Sequence, residues 1–150
     1  MNFKISQEID LEAKEKSLII LFLSDKLSEY LNKRDYGRGV QNFFIGCICV
    51  KPREGYEEWF KIRKPKYKEL VKIKLLDNSI KELKGVFSYD INLNFDVFVN
   101  NTDIENKKLL ASEILNSLSN LDNLPKRVKD FDKEKFKSDL EFFFKDQNLI

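Results

Sequence analysis

The stretch from residue 86 to residue 99 constrains the fold more than any other part of the chain, because apolar and polar side chains alternate along it. The apolar positions are Phe87, Tyr89, Ile91, Leu93, Phe95, Val97 and Val99. The polar positions between them are Ser88, Asp90, Asn92, Asn94 and Asp96. Since side chains two residues apart lie on the same face of a strand, the pattern predicts one long strand with a fixed register.

Shorter patterns predict the other secondary-structure elements. Hydrophobic periodicity indicates further strands over residues 2–9, 43–50 and 71–75. It indicates helices over residues 12–33 and 132–146, and Thr102 with Glu105 forms a capping box that starts another helix between them. Residues 53–65 fit either a helical turn or an edge strand, so the pattern leaves that segment open.

The order of these elements predicts an α+β fold. Three predicted strands follow one another, which favours pairing between neighbours, so we expect a mainly antiparallel sheet of about four strands with helices packed on one face. With 150 residues and 42 % apolar residues, the chain has the size and core of one globular domain spanning residues 1–150. The uncovered face would present Lys72 and Lys74 beside the acidic and amide residues between 90 and 96.

The chain contains no histidine, which removes serine–histidine and cysteine–histidine nucleophile pairs and histidine metal ligands. Cys47 and Cys49 are the only cysteines. They would share one strand face, but two thiols do not complete a zinc site, so we interpret them as buried apolar residues. No catalytic set emerges from the remaining residues. We therefore expect no enzymatic activity, no cofactor and no metal ion.

Charge and hydropathy place the chain among cytoplasmic proteins. The formal net charge is +2, the N-terminal region lacks the pattern of a signal peptide, and the longest aliphatic run there, from Leu18 to Leu23, is too short to span a bilayer. We expect no membrane partner, and either a monomer or a homodimer.

The charges are nevertheless segregated along the chain. Residues 51–74 carry a net charge of +5 and contain four aromatic residues, a composition that can bind single-stranded nucleic acid. Residues 88–123 carry a net charge of −4. In an extended strand Asp90 and Asp96 would be about 20 Å apart, too far to share a reaction centre. The acidic segment therefore fits either a solvated outer face, partly paired with Lys72 and Lys74 across strands, or a protein-docking surface.

A loop with two glycines, Gly37 and Gly39, precedes the strand at 43–50. It lacks the third glycine of a dinucleotide-binding loop and the lysine of a phosphate-binding loop. The glycines fit a tight turn that needs positive φ angles. The functional alternative is an exposed contact loop with Tyr36 and Arg38 as anchors, because tyrosine and arginine are common in binding hot spots.

Three features together resemble bacterial immunity proteins, the small cytosolic antidotes encoded beside polymorphic or contact-dependent-inhibition toxins. They are the Tyr36-Gly37-x-Gly39 loop before an apolar strand, the motif Glu57-Glu58-Trp59-Phe60-x-x-Arg63 after it, and an Asp/Asn-rich strand followed by helices with a Phe-rich stripe. The resemblance implies a non-enzymatic inhibitor that binds one cognate toxin domain by protein–protein contact.

For a toxin with a basic cleft, the expected docking surface comprises Asp90, Asn92, Asn94 and Asp96. Two alternatives remain open at this point. One is a nucleic-acid-binding module that uses residues 51–74, although nucleic acid is the less favoured partner. The other is a homo-oligomeric structural or assembly protein that associates through an uncovered sheet face or edge.

Overall fold

A four-stranded sheet with three helices on one face forms the body of the protein in the computed structural model, which describes residues 1–150. The strands are β1 (Asn2–Ile9), β2 (Asn42–Cys49), β3 (Lys66–Lys74) and β4 (Ile80–Asn92). The α-helices are α1 (Ser17–Leu31), α2 (Tyr56–Lys61), α3 (Phe95–Asn100), α4 (Asp103–Ser117) and α5 (Lys133–Asp146). Short 3₁₀ helices precede α1 and follow α4, at Leu11–Lys16 and Leu118–Asn123.

The sheet is mixed, so the prediction of a mainly antiparallel sheet is wrong. Its strand order is β1-β2-β4-β3, in which β1–β2 and β2–β4 are parallel and β3–β4 is antiparallel. The physical reason lies in the connections. Helix α1 carries the chain back between β1 and β2, which a parallel pair requires, and β4 enters between β2 and β3. The α+β class is confirmed, since the molecule contains five α-helices and four strands.

The strand predicted over residues 86–99 ends at Asn92, and residues 95–100 form helix α3 instead. The Asn94 side chain accepts a hydrogen bond of 3.1 Å from the backbone N–H of Val97 and caps the helix. Phe95 and Phe98 are buried, whereas Val97 is exposed. The alternation therefore changes to helical spacing after Phe95, and the predicted positions of Asn94 and Asp96 on a strand face are wrong.

The helix-covered face of the sheet contains most of the core. Odd-numbered residues of β1, β2 and β4 pack with residues of α1, α4 and α5 in one cluster of 32 buried residues. At its centre the Phe43 ring stacks on Phe136 at 4.8 Å and on Phe3 at 5.8 Å. Helix α2 is the exception to the predicted one-sided packing, because it contacts β4 from the other face.

Helix α1 also covers the free edge of β1. Ser24 Oγ accepts a hydrogen bond of 2.9 Å from the backbone N–H of Ile5, and Asn32 Oδ1 accepts one of 3.1 Å from that of Phe3. Ser28 Oγ donates to the carbonyl oxygen of Phe3. These three side chains follow one stripe of the helix and satisfy backbone groups that an edge strand otherwise exposes.

Two further sequence questions are answered by the structure. The capping box is confirmed, since Thr102 Oγ1 accepts from the N–H of Glu105 and Glu105 Oε1 accepts from the N–H of Thr102. The segment left open, residues 53–65, contains helix α2. No helix combines the length and apolar character needed to cross a membrane.

Candidate functional site

An open groove of about 430 Å³ lies on the face of the sheet that α1, α4 and α5 leave free. Even-numbered strand residues line its floor, because they point away from the helix-covered core. The floor includes Ser6, Phe44, Gly46, Ser88 and Asp90. The wall consists of Trp59 in α2 and the residues that follow the helix, namely Ile62, Arg63, Lys64 and Lys66.

Arg63 connects the wall of the groove to its floor. Its Nη2 lies 2.6 Å from Asp90 Oδ2, and its Nε donates a hydrogen bond of 2.7 Å to the same oxygen. The guanidinium also lies over the Trp59 ring, 4.7 Å from the ring centroid. A cation held by both an aromatic face and a carboxylate has a defined orientation while it stays partly exposed.

A second polar contact attaches α2 to the sheet. Tyr56 Oη donates a hydrogen bond of 2.7 Å to Asn92 Oδ1, at the end of β4. No residue of α2 is buried. The helix therefore lies on the sheet through its polar contacts and through the side chains that line the groove, and the segment around it presents Trp59 and Arg63 to solvent.

Gly46 is needed because Asp90 lies across it. A Cβ atom at this position would overlap with Asp90 Oδ1 and crowd its carboxyl carbon. The absence of a side chain in the middle of β2 thus leaves room for the Asp90 carboxylate in the position where it pairs with Arg63. This close approach is the packing reason for a glycine within an otherwise apolar strand.

The groove has a cationic rim. Arg63, Lys64 and Lys66 line it, and Asp90 is the single carboxylate among the lining residues. Alternation along β3 places Lys68 and Lys72 on the same side as Lys66. This face of the sheet therefore becomes more basic from its centre toward β3, whereas the docking surface expected from the sequence was acidic.

The four residues expected to form an acidic docking surface have separate structural roles. Asp90 pairs with Arg63, Asn92 accepts the hydrogen bond from Tyr56, and Asn94 caps α3. Asp96 lies exposed in the first turn of α3. Of these four residues, only Asp90 lines the groove.

The loop that contains Tyr36 and Arg38 is anchored to the segment before α5. Tyr36 is only 2 % exposed, so its predicted position as an exposed anchor is wrong. Its Oη donates a hydrogen bond of 2.7 Å to Asp139, and burial raises the pKa of its phenol above the ordinary range. The Arg38 side chain is exposed, and its backbone N–H donates to Asp130 Oδ2 at 3.0 Å.

The two cysteines lie inside the protein. Burial raises the pKa of the Cys47 thiol to about 12 and that of Cys49 to about 11. Both are therefore protonated at neutral pH and are poor nucleophiles. The structure contains no group of three or more cysteine, aspartate or glutamate side chains arranged to hold a metal ion.

Asp90 could be selected from the sequence as a candidate site residue, but its contact with Arg63, and that of Arg63 with Trp59, could not. Trp59 and Arg63 are four residues apart, a spacing that brings side chains together on a helix. That signal was present in the sequence. The spacing predicts a contact only if residues 53–65 are helical, because four residues along a strand would separate the two side chains by about 13 Å.

Comparison with known proteins gives a family but no closer relative. A family model described as Imm44, immunity protein 44, matches residues 1–146. No curated protein and no solved structure is significantly similar to the chain. The match extends over all strands and helices of the structure.

Proposed function

The chain belongs to the immunity protein 44 family, and from this we propose that it is a non-enzymatic inhibitor of a cognate bacterial toxin domain. We further propose that the toxin docks on the face of the sheet opposite α1, α4 and α5, over the groove between α2 and the sheet. Inhibition follows from tight binding that blocks the active site of the toxin or a surface beside it.

The observation that carries this proposal is the Trp59–Arg63–Asp90 arrangement in an open groove. Tryptophan and arginine dominate binding hot spots, since both offer large contact areas with defined geometry. Here both side chains are partly exposed on a face that no long helix covers. A surface salt bridge of this kind contributes little to folding, about 0–1 kcal/mol, so its orientation of Arg63 is the more important consequence.

The nucleic-acid alternative has weaker support in this geometry. The Trp59 ring is engaged by Arg63, and the Arg63 guanidinium is engaged by Asp90, so neither is free to stack on a base or bind a phosphate without breaking that arrangement. Glu57 and Glu58 add negative charge to α2, the helix whose Trp59 lines the groove. A protein surface that covers the intact arrangement fits these contacts better.

The test is to measure binding between the purified chain and the C-terminal toxin domain encoded beside its gene. We expect Trp59→Ala and Arg63→Ala to raise the Kd about ten-fold or more. Arg127→Ala is a closely matched control, because Arg127 also forms an exposed salt bridge, 2.7 Å from Glu69, and also lies over an aromatic ring, that of Tyr67. Phe142→Ala removes an exposed aromatic ring from α5, in the helix layer.

Both controls should leave the Kd within about two-fold of the wild-type value, because surface substitutions outside an interface have small effects. Titration against toxin activity should reach complete inhibition at one inhibitor per toxin, as binding without turnover requires. Absence of wild-type binding would overturn the proposed function. Equal losses in groove and control variants would overturn the location of the interface.

A further inference from the structure

A two-stranded extension of the sheet, which we call the arm, comprises residues 70–84. Within it Leu70 pairs with Lys84 and Lys74 with Ile80, whereas the pairing of β4 with β2 begins only at Val86. The arm therefore has no neighbour in the sheet. Gly85 has φ +57° at the base of the arm, and a Cβ atom there would crowd the carbonyl oxygen of Gly39 at 2.8 Å. A residue with a side chain would therefore be strained at the position where the arm joins the body.

The turn at the end of the arm is held by hydrogen bonds. The N–H of Leu75 donates to the carbonyl oxygen of Ser79 at 2.8 Å, and the N–H of Asn78 donates to that of Leu75 at 3.0 Å. Asp77 Oδ1 accepts from the N–H of Ser79 at 2.9 Å. The arm therefore ends in a defined loop, and a partner would meet a pre-formed surface instead of ordering a flexible one.

Apolar side chains are exposed along the arm, and no other element of this chain covers them. They are Leu70, Ile73, Leu75, Leu76 and Ile80, and the Leu76 side chain at the tip is fully exposed. A group of exposed aliphatic residues on a protruding hairpin is typical of a protein interaction site. The sequence pattern predicted a half-buried strand with Val71, Ile73 and Leu75 on its apolar side, but Ile73 and Leu75 are exposed in the structure.

The charge of the arm indicates which kind of partner can bind it. Residues 70–84 contain four lysines and two acidic residues, and no lysine of the arm forms an ion pair with a carboxylate. A second copy that paired through β3 would bring two lysine rows together, because Lys66, Lys68, Lys72 and Lys74 all lie on this edge strand. The arm contains no aromatic side chain on which a base could stack.

We propose that the arm is a second docking element for the toxin domain, with its aliphatic tip against an apolar depression and its lysines facing an acidic surface of the toxin. This inference rests on the proposed function. The inhibitor would then bind through the lysines of the arm, whereas the docking surface expected from the sequence was the acidic and amide group between residues 90 and 96. The arm contact then lies on the toxin outside any basic cleft that binds nucleic acid.

Two arm variants test the inference in the binding assay with the same toxin domain. Leu76→Asp changes a fully exposed side chain, and the double variant Lys74→Glu/Lys81→Glu reverses two exposed charges whose strand partners, Ile80 and Ile73, are uncharged. We expect each to raise the Kd about ten-fold or more. The double variant should also flatten the dependence of the Kd on salt, because screened attraction between unlike charges is lost.

Matched controls lie elsewhere on the chain. Leu11→Asp introduces the same charge at another exposed leucine, next to the carboxyl end of β1 and at the opposite end of the sheet. Lys33→Glu/Lys145→Glu makes the same change in net charge at exposed positions after α1 and in α5. Both should bind within about two-fold of the wild-type value. Circular dichroism and the urea midpoint should match the wild type for all four variants.

The outcomes separate this inference from the proposed function. If Arg63→Ala weakens binding but both arm variants bind like the wild type, the arm inference is wrong and the groove remains the interface. If the wild type binds no toxin, both fail. If the wild type is a dimer and either arm variant is a monomer that still binds the toxin, a second copy of the chain is the partner of the arm. Arm-dependent retention of a single-stranded oligonucleotide without toxin binding identifies nucleic acid, and each of these results overturns the inference.

Discussion

The two faces of the sheet differ in how deeply their side chains are buried, and the neighbouring residues Phe43 and Phe44 in β2 show the contrast. Phe43 points into the helix-covered core, is completely buried and contacts the rings of Phe3 and Phe136. Phe44 lines the open groove beside Gly46 and Asp90 and is only partly buried. One residue along a strand separates a position that determines stability from one that a partner can reach.

The composition of the two faces follows from this division. Packed aromatic and aliphatic side chains fill the covered face, and Tyr89 Oη there is satisfied by Ser117 Oγ at 2.7 Å. The free face contains a glycine, two serines and an ion pair. Substitutions on the covered face should therefore change the free energy of unfolding, whereas those on the free face should change affinity for the toxin.

The largest expected effect comes from Phe43→Ala. Truncation of this buried ring should lower the free energy of unfolding by about 3–5 kcal/mol, because it removes the contacts of the aromatic stack and leaves a cavity. Phe44→Ala should cost only about 1–2 kcal/mol but weaken toxin binding. Urea denaturation and the binding assay measure the two quantities separately. Similar unfolding losses for both variants would contradict the assignment of the faces.

Ser24→Ala should have the next largest effect on stability. The Ser24 hydroxyl accepts from the buried N–H of Ile5, so its loss leaves a backbone donor without a partner. We expect a loss of about 1–3 kcal/mol in the free energy of unfolding. Ser88→Ala on the free face serves as the comparison and should cost less than about 0.5 kcal/mol. A loss for Ser88→Ala equal to that for Ser24→Ala would remove the distinction.

Gly46→Ala should have a smaller effect that depends on Asp90. The new Cβ atom displaces the Asp90 carboxylate and separates it from Arg63, so we expect about 1 kcal/mol of destabilisation together with weaker toxin binding. In an Asp90→Ala background the same substitution should cost almost nothing. A double-mutant cycle tests this, with the free energy of unfolding measured for the two single variants and the double variant. Additive losses in that free energy would show that contact with Asp90 is not the cause.

Asp96→Lys should have the smallest effect. Asp96 is exposed in α3 and lies outside the groove, so toxin affinity should stay within about two-fold of the wild-type value. Asp90→Lys, which breaks the pair with Arg63, should weaken the complex clearly. A strong loss from Asp96→Lys would instead restore the acidic docking surface predicted from the sequence, and the binding assay decides between the two.

Residues 95–98 show why part of the fold could not be predicted from the sequence. Phe95, Val97 and Val99 continue the alternation of β4, yet Phe95 and Phe98 also match the three-residue spacing of a helix. Both patterns bury Phe95, so the local sequence does not separate them. The cap from Asn94 and the packing of Phe98 in the core favour the helix. The burial of Tyr36 could not be predicted for a related reason, since its hydrogen-bond partner Asp139 lies 103 residues away along the chain.

Residue types and their spacing along the chain excluded chemistry that needs histidine, predicted β1, β2, α4 and α5 close to their observed starts, and identified many residues of the core. Those properties depend on residue type and on spacing over a few turns, so they can be read locally. The tertiary structure decided the parallel order of the strands, the polarity of the free face and the meeting of Arg63 with Asp90. These depend on which distant segments pack together, and that choice is made by the whole core rather than by any one stretch.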